Sequence, residues 1–341
     1  MRWTALILGL LGCADAPAGP RAEVFVADER AGTVSVFELP FTGAVTAIAL
    51  DDHDVTYLPH NVQVSPDGRS VWVTAASWEF YTRGWAGEDD EQLIVLDVAR
   101  RAVRARIPMT GLLAHVVFDA AGRFAYVTAS ALGQVIEVDT ATLRETRRFL
   151  VGPRRAPHGA RVCAGRLFVA NTGGRSVSWV ELGSGQVTEV RVEGAPIQVA
   201  CSADGATVFT ALQDRPAAVR IDVASRAVAS LPLPEGARGP AQVFLSPDGA
   251  RLWIADQGSL TATERSGRQV FEVDVARWAL ARSAEVGRGA HGVVTSRDGA
   301  RVLVTGALDH TVSVLDATTL RTEAVVPVGR GPNGITLREA P

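Results

Sequence analysis

Apolar and polar residues along this 341-residue chain alternate in short runs, each ended by a turn signal, and the same run order recurs six times. PHNVQVSPDGRSVWVTA begins at Pro59 and AHVVFDAAGRFAYVTAS at Ala114. PHGARVCAGRLFVANT follows from Pro157, PIQVACSADGATVFTAL from Pro196, PAQVFLSPDGARLWIADQ from Pro240 and AHGVVTSRDGARVLVTG from Ala290. The chain ends on a truncated copy, PNGITL, from Pro332. The second residues of these copies are His60, His115, His158, Ile197, Ala241, His291 and Asn333, separated by 55, 43, 39, 44, 50 and 42 residues. Repeats of roughly 40–50 residues are the period of a propeller blade. Each copy reads as four short antiparallel strands. A first apolar strand meets Asp-Gly (Asp67-Gly68, Asp204-Gly205, Asp248-Gly249, Asp298-Gly299), whose positive φ angles suit a tight hairpin. The second strand, such as VWVTA, leads to a third, such as VIEVD or VSVLD. A turn on Asp139, Asp222, Asp274 or Asp316 follows, where the carboxylate caps its own backbone. The fourth strand is more polar.

The two ends complete each other. PNGITL supplies a first strand alone, whereas EVFVADERAGTVSVFELPFTGAVTAIAL, near the N-terminus, supplies strands two to four. Joined, they form one blade and leave no open sheet edge. The expected fold is therefore all-β: a seven-bladed β-propeller of four-stranded antiparallel blades over residues 23–341, closed by a composite blade from both termini.

The copies resemble YVTN-type seven-bladed propeller repeats, on SPDGRSVWVTA, AYVTAS, LFVANT and HTVSVLDATT. The resemblance spans about residues 23–338. It implies the propeller fold and leaves function open, because relatives include periplasmic proteins, surface-layer proteins and lactonase-like enzymes.

Residues 1–12 read as a signal peptide. Arg2 precedes an apolar run over 3–11 that is too short to span a bilayer. The run ends in Leu10-Leu11-Gly12-Cys13, which resembles the lipobox of bacterial lipoproteins, so Cys13 is the expected lipidation site and residues 13–22 a tether. Two acyl chains on Cys13 would anchor the protein stably. The expected location is the periplasm or cell surface, on the outer membrane. Cys163 and Cys201 then remain. They occupy offset positions on first strands of adjacent blades, and two buried free thiols are expected.

Hydrophobic residues make up 47% and mean hydropathy is +0.14, enough for a substantial core. A net charge of −3 gives no basic face for nucleic acid. All 34 cationic residues are Arg, which excludes lysine-based covalent catalysis. No GxSxG nucleophile motif occurs.

In a propeller the first strands line the central channel. His60, His115, His158 and His291 therefore sit at one channel mouth, with His53 and His310 on the same face. Arg154, Arg238, Arg288 and Arg330 precede first strands and ring that rim. Insertions over 77–91 and 257–268 interrupt second-to-third turns on this side, where propellers grow functional loops. Three readings stand side by side. Imidazoles at the mouth suit a transition metal such as Cu or Zn. Arginines and histidines together suit an anionic small molecule or an acidic partner protein. The third is purely structural hydrogen bonding to nearby backbone. The expected function is a monomeric, lipid-anchored binding or scaffold module acting through this face. The alternative is a metal-dependent or lactonase-like enzyme with its site at the same mouth. Asp28, Asp256 and Asp309, at second-strand ends, are assigned to turns and not to catalysis.

Overall fold

The computed structural model describes residues 22–53, 55–79, 90–152 and 155–339. These form seven four-stranded antiparallel sheets. The inner strands are Tyr57–Val64, Leu113–Phe118, Pro157–Cys163, Pro196–Cys201, Pro240–Leu245, Ala290–Thr295 and Pro332–Glu339. Each touches the inner strand of the blade on either side, and Pro332–Glu339 touches Tyr57–Val64, so the ring closes. Closure is made by Pro332–Glu339 pairing antiparallel with Ala22–Asp28 at the opposite end of the chain. Among the described residues no helix is long and apolar enough to cross a membrane.

Burial follows strand position. Second strands have a blade on each side, and Ser70–Ser77 is buried at every residue. Outer strands such as Arg144–Leu150 are largely exposed. The core is accordingly a set of layers between neighbouring blades. One joins Phe25 and Val36 of the composite blade to Val73 and Ile94 of the next.

The repeated residues hold local geometry as hydrogen-bond hubs. In the Ser-Pro-Asp-Gly turn only Gly68 adopts positive φ, at 67°. Asp67 instead accepts hydrogen bonds from the Ser65 hydroxyl (2.6 Å) and the Arg69 N–H (3.0 Å). The Asp therefore serves as a side-chain acceptor, and Gly alone carries the conformational demand. Asp139 accepts the N–H groups of Ala141 and Thr142, and Asp316 those of Thr318 and Thr319, as capping turns require.

A second device joins the blades. Inner strands carry an irregularity one to three residues after their first proline or its equivalent, as between Leu113 and Val116. The second-strand threonine of the VTA motif fills it. Thr128 accepts the His115 N–H (2.9 Å) and donates to the His158 carbonyl of the next blade (2.6 Å). Thr74 and Thr305 repeat this towards Ala114 and Asn333. These threonines link adjacent inner strands and set the height of the residues facing the channel.

The cysteines correct the expectation of free thiols: Cys163 and Cys201 form a disulfide, with Cα atoms 6.4 Å apart. The offset that argued against pairing is what permits it. Alternate residues of a strand point to opposite faces. Cys201, one position out of step, packs back among Phe168, Trp179 and Val199 of the layer shared with the preceding blade, where Cys163 meets it.

Candidate functional site

Four of the seven inner strands bring an imidazole to one mouth of the channel. The ring centroids of His60 and His158 lie 5.3 Å apart, those of His115 and His158 5.0 Å, and those of His60 and His291 6.5 Å. One nitrogen from each of His60, His115 and His158 falls within 4.8 Å of the others. His115 and His291 are buried, while His60 and His158 are partly so.

Hydrogen-bond partners assign the tautomers. His60 Nδ1–H donates to Glu29 Oε1 at 3.0 Å, and His158 Nδ1–H donates to the Ile197 carbonyl at 3.1 Å. With both rings neutral, both Nε2 atoms carry bare lone pairs, and they face each other at 3.2 Å. Lone pairs at that distance repel unless a proton or a cation lies between them. His115 differs. Gln198 Oε1 accepts the Val199 N–H (2.8 Å), which turns Gln198 Nε2 towards His115 Nδ1 (3.2 Å). His115 Nδ1 is thus an acceptor, and its buried Nε2 has no partner among the described residues. Both ring nitrogens of His291 are likewise buried without one.

The electrostatics favour the neutral form of His115, His158 and His291. Burial, with His60 and His291 nearby, brings the His158 pKa down to about 3. Burial and His60 bring His291 to about 4, and burial holds His115 well below the usual histidine range. Burial works to raise the Glu29 carboxyl. The bond and charge of His60 and a bond from Asn333 Nδ2 (2.9 Å) outweigh it, and the pKa falls to about 2. Glu29 is therefore a fixed anion behind His60.

Glu29 and Gln198 were not singled out from the sequence. Glu29 lies in the turn after Ala22–Asp28, and its partners His60 and Asn333 are 31 and 304 residues away. The only local signal was that Asn333 replaces histidine in the composite blade, where it serves to hold Glu29.

The other sequence candidates do not join this cluster. His53 is exposed beside Asp52. His310 Nδ1 accepts the Gly331 N–H at 3.1 Å, a structural role. Arg238, Arg288 and Arg330 are exposed on the rim, and Arg288 is paired with Asp309 at 2.7 Å. Asp256 accepts the N–H groups of Arg238 and Gly239, and Asp309 that of Arg288, as turn-holding carboxylates. Asp28 accepts hydroxyls from Thr33 and Ser35 in the same manner. The 257–268 insertion contains a 3-10 turn, Thr263–Arg265. Cys13, the tether up to residue 21, Arg154 and most of the 77–91 insertion lie outside the described residues, and Ala22, the last residue of that tether, instead begins the strand Ala22–Asp28.

No family model matches the chain. No curated protein matches it in sequence. Solved structures match it in fold. Hydrazine synthase from Kuenenia stuttgartiensis aligns with a TM-score of 0.67 at 16% identity, over 83% of this chain and 95% of that one. Virginiamycin B lyase from Staphylococcus aureus aligns with 0.65 at 15% identity, over 81% and 87%. A Bacteroides uniformis protein provisionally assigned as a 6-phosphogluconolactonase aligns with 0.72 at 14% identity, over 94% and 100%. At these identities the likeness concerns the fold.

Proposed function

We propose that this protein is a metal-binding propeller whose channel mouth holds one divalent transition ion, Zn²⁺ or Cu²⁺. The ligands are His60 and His158 through Nε2, with His115 completing the set and His291 beside it. The observation that carries this reading is the pair of bare Nε2 atoms 3.2 Å apart, each with its Nδ1–H already spent on an acceptor. Two imidazoles on a tetrahedral ion with bonds of about 2.1 Å stand about 3.4 Å apart, close to that spacing. A carboxylate behind one ligand and a carbonyl behind another is the support that metal-bound histidines ordinarily have. The neutral state of His158, His115 and His291 suits them as ligands.

We read the chain as a YVTN-type lipoprotein carried outside the cytoplasm on Cys13, with the metal face available to a partner or substrate. The Cys163–Cys201 disulfide supports that compartment. A second reading keeps the same site and makes it enzymatic. Glu29 orienting His60 is also the arrangement of a general base, and the fold is shared with a lyase. Assays of lactone and ester panels, with and without Zn²⁺ or Cu²⁺, separate the two readings. Calorimetric titration of the full chain with Zn²⁺ tests the metal claim. One ion per chain is expected, and binding that survives joint replacement of His60, His115, His158 and His291 by Ala rejects the site.

A further inference from the structure

The opposite end of the channel carries a different chemistry. Inner-strand side chains three residues beyond His158 lie about 10 Å further along the channel wall. There a cavity of about 360 Å³ opens among the strand ends. Arg161 and Arg297 both line it. Many arginines elsewhere among the described residues are paired, as Arg155 is with Glu189 and Arg282 with Glu272. Among the described residues neither Arg161 nor Arg297 has a carboxylate on its guanidinium. One carboxylate does line the cavity, that of Glu339, and its two oxygens accept the Arg297 backbone N–H at 2.9 and 2.8 Å.

Arg161 is held in a defined pose. Its guanidinium carbon lies over the Phe244 ring, 5.2 Å from the centroid. A guanidinium presents its N–H groups in a planar fork, the geometry that matches a carboxylate. Burial lowers the Arg161 pKa to about 10, so the group remains charged at neutral pH. Thr295 supplies a separate observation. Only 6% exposed, it lines the same cavity, and its hydroxyl has no partner among the described residues. An orphaned buried hydroxyl beside an unpaired cation marks a place where an acceptor is missing. Apolar walls from Phe244, Val294 and Leu337 complete the lining.

We infer that this second mouth binds a small organic carboxylate, with the carboxylate forked by Arg161, touched by the Thr295 hydroxyl and its apolar body against Phe244. This inference is independent of the histidine site at the other mouth. Its test is a titration of the full chain with benzoate, followed by calorimetry or by chemical-shift changes, with inorganic phosphate in a parallel arm. Saturable benzoate binding with Kd below about 1 mM is expected. Arg161→Met should weaken it at least 10-fold and Thr295→Val about 3-fold, while the Zn²⁺ titration stays unchanged in Thr295→Val. Should Arg161→Met fail to fold, Arg297→Gln and Thr295→Val carry the test, and full affinity in both overturns the assignment. Tighter binding of phosphate than of benzoate overturns the carboxylate class, and absence of saturable binding by either anion overturns the site.

Discussion

Glu29 and Gln198 show how single residues decide what the imidazoles can do. Glu29 holds His60 Nδ1–H and thereby exposes Nε2, whereas Gln198 donates to His115 Nδ1 and works against the tautomer a metal needs. Glu29→Gln is expected to weaken Zn²⁺ binding 10–100-fold, the usual cost of losing such a support, measured by competition with a chromogenic chelator. Gln198→Glu should do the reverse. Its carboxylate can accept both the Val199 N–H and a His115 Nδ1–H, so Zn²⁺ affinity should rise, and a fall would contradict the tautomer assignment. Asp28 makes a prediction in pH. Burial raises its pKa from 3.8 to about 6, against the bonds from Ser35 and Thr33. The folded state thus holds a proton that the unfolded chain releases at lower pH, and stability from this group falls as pH rises from about 4 to about 6. In metal-free protein, the stability of Asp28→Asn relative to wild type should rise by on the order of 2 kcal/mol between pH 4 and pH 7. Urea unfolding at each pH reads that difference.

At the scale of the strand, the inter-blade threonines connect folding to the site. Thr128 bonds the backbones of both His115 and His158. Thr128→Val keeps the shape but strands a buried N–H and a part-buried carbonyl, so a loss of about 2 kcal/mol in unfolding free energy is expected. Zn²⁺ affinity should drop with it, because the heights of two ligands are no longer set. What was legible in the sequence belongs largely to this scale. Asp67-Gly68 and Asp139 act within a few residues, so their pattern along the chain reports their job directly. Glu29, Gln198 and the Cys163–Cys201 bond act between blades. Their partners are determined by which face of a strand points where, and a one-residue offset reverses that. The four histidines were legible because they occupy one repeat position. The exposed rim arginines share a repeat neighbourhood too, yet a solvated rim does not bring side chains together as a narrowing channel does.

The whole molecule is a ring whose closure depends on residues near both ends and on one covalent clip. The disulfide joins neighbouring inner strands across a separation of 38 residues. Replacing both cysteines by Ala should cost roughly 3–4 kcal/mol in the chain-entropy account, seen as a lower urea midpoint at unchanged slope. The ring also gives the channel two unlike mouths, one of clustered imidazoles and one of guanidiniums without a carboxylate partner among the described residues. The central claim concerns the first of these. Elemental analysis of the natively purified full chain, beside the His60→Ala/His158→Ala double variant, tests it most directly. The account predicts close to one zinc or copper ion per wild-type chain and almost none in the variant. Equal metal in the two proteins, or a wild-type chain that neither carries nor takes up Zn²⁺ or Cu²⁺, would contradict it.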